Sequence, residues 1–110
     1  MSITLHLYYT GVNGNARRFA EEMEESGTAS LIRQEKGNLQ YDYFIPMHDL
    51  ETVLLVDSWE SQEAIDKHHA SPMMKKIAEL REKYDLHMQV ERFTSDEEGV
   101  PASDKGFIRE

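Results

Sequence analysis

The sequence predicts an α+β domain with the element order β-α-β-β-α-β and a four-stranded antiparallel sheet. Three observations predict it. Residues Ile3 to Thr10 alternate with period two, as a strand does. Two stretches, one carrying Ala16, Phe19, Ala20 and Met23 and the other Met73, Ile77, Leu80 and Tyr84, repeat apolar residues at helical spacing. Between them, two strand-like runs flank the short connection Pro46 to Leu50, the pattern of an antiparallel hairpin.

The elements follow in order. In the first strand, Ile3, Leu5, Leu7 and Tyr9 point one way and Thr4, His6, Tyr8 and Thr10 the other. Gly11-Val12-Asn13-Gly14-Asn15 is a turn cluster in which Asn can cap a helix start. The helix that follows keeps Arg17, Arg18, Glu21, Glu22 and Glu25 off its apolar stripe, and Gly27 is its expected stop. Thr28 to Gln34 is ambiguous; Leu31 and Ile32 could sit on a short second helix. Glu35-Lys36-Gly37-Asn38 turns into a strand over Leu39 to Ile45, with Leu39, Tyr41, Tyr43 and Ile45 expected on one face. Glu51 to Trp59 is the third strand. Ser61 caps a helix carrying Ala64, Ile65, His68 and His69, and Ser71-Pro72 restarts it. Leu86 to Phe93 is the last strand. This is the split order of ferredoxin-like domains, with helices on one face of the sheet. The domain is expected over residues 1–93, and 94–110 reads as an acidic C-terminal tail with five acids against two bases.

Composition narrows the function classes. A chain of 110 residues is one domain by length, and one with little stability to spare. With no cysteine it has no disulfide framework, thiolate nucleophile or cysteine-based metal site, which suits a cytoplasmic setting. No apolar run approaches the length of about 20 residues that spans a bilayer, and no basic leader precedes Ile3, so neither a membrane nor secretion is expected. A net charge of −9 repels phosphate backbones, so nucleic acid is not an expected partner.

The second face of the sheet carries its own signal. Of the aromatic residues, Tyr8, Tyr9, Tyr41, Tyr43, Phe44, Trp59 and Phe93 fall on strands. Whichever face the helices cover, some of these lie on the other, for example Tyr8 opposite Tyr9. Such a face wants a partner, and a homodimer through sheet faces is the simplest one.

Chemistry-bearing patterns are few. His6, His48, His68, His69 and His87 show no metal-binding spacing, and no metal site is expected. The glycines around Asn13 do not form a phosphate loop, and no serine lies in a nucleophile elbow. Trp59 and His68 remain. An indole face beside an imidazole can hold a flat aromatic ligand and take its acidic proton. Spacing alone favours the plainer arrangement, a core tryptophan and a hydrogen-bonded histidine at an interface.

Two segments resemble the antibiotic biosynthesis monooxygenase family, which includes quinol monooxygenases. One is Glu35-Lys36-Gly37-Asn38-Leu39-Gln40-Tyr41, similar to an acid-x-Gly turn entering an aromatic-bearing strand. The other runs Trp59-Glu60-Ser61-Gln62-Glu63-Ala64-Ile65-Asp66-Lys67-His68 and is followed by Ser71-Pro72. The likeness spans about residues 3–93. It implies a dimeric α/β barrel-type assembly, a cavity between sheet and helices, and oxygenation of a small phenolic or quinol-type aromatic by O2 with no cofactor. Carried over residue by residue, it implies His68 as the catalytic residue and Trp59, Asn38 and Tyr41 as substrate-binding candidates. Met73, another candidate, stands where many relatives carry a further histidine. The first strand lacks the asparagine of haem-degrading relatives, which argues against haem degradation. Beside the monooxygenase stand a non-catalytic dimeric module, either aromatic-metabolite-binding or stress-related, an isomerase of small carbonyl compounds and, behind these, haem binding, since fold does not fix function.

Overall fold

The computed structural model describes all 110 residues and contains the expected order, with each helical arm split in two. The elements are β1 (Ile3–Thr10), α1 (Asn15–Glu25), α2 (Thr28–Arg33), β2 (Asn38–Phe44), β3 (Thr52–Trp59), α3 (Gln62–His69), α4 (Met73–Lys83) and β4 (His87–Thr94). The ambiguous stretch after Gly27 is a true short helix. Gly27 stands before it at φ 81°, a left-handed turn that glycine adopts without strain. Gly14, also left-handed, precedes α1; Asn15, expected as the cap, is instead the first helical residue, and its side-chain amide donates to the Tyr84 carbonyl (3.2 Å). The Ser61 hydroxyl accepts from the Ala64 amide (3.2 Å), capping α3 as expected.

The strands form one antiparallel sheet in the order β2-β3-β1-β4, the ferredoxin-like arrangement. The expected barrel-type assembly does not hold. β2 and β4 lie at opposite ends of the sheet, each paired on one side only, so the sheet is open and not closed into a barrel. Closure needs the two end strands to meet, and about eight strands are usual for a filled barrel.

The helices cover one face. Against them lie Ile3, Leu7 and Tyr9 of β1, Tyr41 of β2, and Val53, Leu55 and Trp59 of β3, packed with Phe19, Met23, Ile32, Ile65, Ile77 and Leu80. One expectation for β2 fails. Asn38 pairs with Trp59 and Gln40 with Ser58, so Leu39 is the extra residue of a β-bulge and is 54% exposed instead of joining Tyr41 and Tyr43. Ile45 lies beyond the strand end.

The other face presents Thr4, His6 and Tyr8 beside Leu54, Val56 and Ser58, with Phe93 and Phe44 exposed at its margins. His6 and Phe93 lie with ring centroids 4.9 Å apart. β4 is exposed along its length. Met88 and Val90 are partners of Tyr9 and Leu7 and so face the helical side, but no helix reaches over them. The tail leaves β4 through a Ser95–Ser2 backbone bond (3.0 Å) and ends in an exposed 3-10 turn over Ala102–Phe107.

Candidate active site

The interior between sheet and helices is unusually polar for so small a core. Trp59 closes β3 and is fully buried; His68, two turns into α3, is 4% exposed. Their rings stack with centroids 4.7 Å apart and planes 29° from parallel. His68 Nδ1 lies 3.0 Å from Glu35 Oε1 and 3.3 Å from Oε2. Glu35 follows α2, on the turn that leads into β2. That turn is pinned to the start of α3: the Gly37 carbonyl accepts from the Glu60 amide (2.8 Å), and Gly37 adopts φ 91° against Ala64. A Cβ on Gly37 would come within 2.6 Å of the Ala64 Cβ, so glycine is what lets the turn reach the helix.

The far edge of the indole is held as well. Trp59 Nε1 donates to Asp57 Oδ1 at 2.6 Å, and Asp57 is itself 5% exposed. Burial pushes the Asp57 carboxyl up to about 6, against the opposing pull of the indole N–H and of His68; the Glu35 carboxylate adds to the rise. Tyr41 pairs with Asp57 across the strands and its hydroxyl lies 3.0 Å from that of Tyr43. Burial holds both phenols far above their ordinary range. Tyr9 is raised by burial too, with Arg81 opposing; Arg81 Nη2 donates to the Tyr9 hydroxyl (2.8 Å) and its Nε is buried without a partner. These three tyrosines therefore keep their protons near neutral pH and do not serve as bases.

Of the residues singled out in the sequence, Trp59 and His68 are in direct contact. Tyr41 belongs to the same buried layer through its pairing with Asp57. Asn38 serves the backbone instead. Its side-chain amide donates to the Gln40 carbonyl (3.2 Å) and the Ser58 carbonyl (3.3 Å), fastening the bulge. Met73 opens α4 and packs, partly buried, at the core margin. Asp57, Tyr9 and Arg81 carry no sequence signal as site residues, and Glu35 shows only as the acid of the acid-x-Gly turn; the pairing of strands and the landing of helices bring them together.

The cavity implied between sheet and helices is filled. No opening in the structure is lined by Trp59 or His68. The nearest, of about 190 Å³, lies outside α3 among Lys36, Gly37, Glu60, Ser61, Ala64 and Lys67. A wider groove of about 340 Å³ runs beside α1 with Ala20, Tyr43, Ile45 and Val53 along its floor. No three His, Asp or Glu side chains converge to cage a metal ion. No helix is long and apolar enough to cross a membrane.

Known proteins share this architecture. The family model described as antibiotic biosynthesis monooxygenase matches residues 2–80. No curated protein matches the chain. Among solved structures, a protein from Pseudomonas aeruginosa is 21% identical, with 86% of this chain and 93% of that one covered and a TM-score of 0.73. A conserved protein from Methanosarcina mazei is 14% identical over 87% of this chain and 94% of that one, with a TM-score of 0.75. SnoaB, a cofactor-independent oxygenase from Streptomyces nogalater, is 14% identical over 86% and 93% respectively, with a TM-score of 0.71. At these identities the likeness is one of fold.

Proposed function

The chain belongs to the antibiotic biosynthesis monooxygenase family, and from that membership we propose that it oxidises a small phenolic or quinol-type aromatic with O2, using no cofactor and His68 as the general base. The observation that carries the reading is the Glu35–His68–Trp59 stack. Glu35 accepts the Nδ1 proton, which leaves the lone pair on Nε2, the nitrogen free to take a proton from a substrate hydroxyl. Trp59 supplies a flat apolar wall for an aromatic ring.

The chemistry balances without a redox group on the protein. Nε2 takes the phenolic proton. The phenolate passes one electron to O2, and the resulting radical pair joins at a ring carbon ortho or para to the phenolate oxygen that carries a hydrogen, forming a C–O bond. The peroxide takes back the proton from His68. Loss of that carbon's hydrogen and cleavage of the O–O bond then release water and leave a quinone, or a hydroxyquinone where the substrate is a hydroquinone. One oxygen atom enters the product and the other becomes water; the ring supplies all the electrons. The protein contributes orientation, a base and exclusion of water.

His68 covers the indole face, so under this reading a substrate ring has to displace it from that seat; α3 ends close by, at the Ala70–Pro72 joint before α4. The Ser71 hydroxyl is buried without a partner at that joint. The same closure favours a second reading: a non-catalytic module in which Glu35, His68 and Trp59 lock α3 to the sheet. Oxygen uptake with hydroquinones and dihydroxynaphthalenes separates the two. The monooxygenase reading expects uptake matched by quinone formation and lowered about 10²-fold or more in His68→Ala. No uptake with any of these phenols supports the second reading, and unchanged turnover in His68→Ala removes the base.

The partner assigned to the open sheet face under this reading is a second copy of the chain. Tyr8, Leu54 and Val56 form its apolar centre, and a sheet face of that character is covered by another sheet at about 10 Å.

A further inference from the structure

Trp59 is the only tryptophan of the chain, and it is gripped from two sides. The His68 ring lies over its face, and the Asp57 carboxylate takes its N–H in the plane of the ring. The stack holds the face of the ring, and the bond at Nε1 holds its edge. Asp57 and Trp59 are two residues apart on β3, so both side chains project to the helical side and the bond forms within one strand.

We propose that Asp57 is a positioning residue of this site: its carboxylate fixes the Trp59 ring and, through the stack, the seat of His68, and protonation of Asp57 loosens that hold. The inference rests on the reading that the Trp59–His68 stack is the functional site. A short N–H bond to a carboxylate is about twice as strong as one to a neutral acceptor, so a proton on Asp57 weakens the grip without deleting any atom.

The groups around Asp57 decide when this happens. From β1 comes Tyr9, from β2 Tyr41, from the turn after α2 Glu35, and from α3 His68; Arg81 of α4 stands on the Tyr9 hydroxyl. The phenols stay protonated across the neutral range, since burial raises both. Glu35 and His68 complete the ring of groups facing Asp57, two acids around one imidazole. Burial places the Asp57 change near pH 6.

The lone tryptophan makes the test direct, because all indole fluorescence comes from Trp59. Emission is followed from pH 8 to pH 4.5 in the full chain, with far-UV circular dichroism confirming the fold at each pH. Protonated imidazole also quenches indole, so the decisive variant is His68→Gln, which removes that source. The proposal expects a sigmoidal step near pH 6 to persist in His68→Gln and to vanish in the double variant His68→Gln with Asp57→Asn. Asparagine is isosteric and keeps an acceptor oxygen, so the fold is retained while the titration is lost. A flat response in His68→Gln, or a step that survives Asp57→Asn in that background, overturns the proposal. The readout needs no turnover. Should no phenol be oxidised while the step behaves as described, the monooxygenase reading falls and the Asp57 linkage stands. Where turnover occurs, Asp57→Asn is expected to raise KM more than it lowers kcat and to flatten the pH profile near 6, with Asp57→Ala losing both features. An unchanged pH profile in Asp57→Asn also overturns the positioning role.

Discussion

His68 is the residue on which packing and chemistry compete. Buried, bonded to Glu35 and stacked on Trp59, it behaves as a core residue; the proposed reading asks its Nε2 to take the substrate proton as well. His68→Ala therefore also costs stability, about 2–4 kcal/mol from the void left over the indole and the unpaired Glu35 carboxylate, measurable by urea unfolding. Asp57 sets a second prediction. Its carboxyl is raised from an ordinary 3.8 to about 6 in the fold, so between those values the folded chain binds more protons than the unfolded one. Its contribution to stability is full below the unfolded value and is lost as pH rises through the folded value. Wild type should lose stability relative to Asp57→Asn between pH 4 and 6 by up to about 3 kcal/mol, read from unfolding midpoints across that range. Equal slopes for the two proteins would refute it. The sequence made Trp59 and His68 visible because their residue types are rare and their offset joins a strand end to a helix. Glu35 was visible only as the acid of the acid-x-Gly turn, without its partner, and Asp57 stayed hidden as an ordinary strand acid until folding removes its water.

At the scale of elements, the turn from Glu35 to Asn38 does the most to place the site. Gly37 allows the chain to pass under Ala64 and delivers Glu35 to His68. Gly37→Ala meets both an unfavourable positive φ and a collision with the Ala64 Cβ, so it should destabilise the fold by about 2–3 kcal/mol and weaken the Glu35–His68 bond. Thermal unfolding checks the first effect, and the pH dependence of any oxygen uptake the second. Helix and strand periods located almost every element. They failed where a single residue breaks the period: the bulge at Leu39 turns that side chain outward, although simple alternation places it beside Tyr41. The six residues of α2 are too few to display a helical period, and tertiary packing of Ala29 and Ile32 decides them.

The whole molecule is an open sheet with helices on one side and an uncovered strand at one edge. The open face and the bare β4 predict self-association. Sedimentation should give a mass about twice that of the 12.8 kDa chain. Val56→Glu, placed beside His6 and Asp42 at the centre of the face, should yield a folded monomer. A wild-type monomer at high micromolar concentration would end this expectation. The sequence by itself determined the coarse element order and made the Trp59–His68 pair visible, because periodicity and residue type are local and survive without neighbours. Only the tertiary structure decided that the sheet stays open, that the space between Trp59 and His68 is filled, and that Asp57 and Glu35 join them. Edges, voids and buried charges depend on which distant segments come to rest against one another, and no local pattern encodes that.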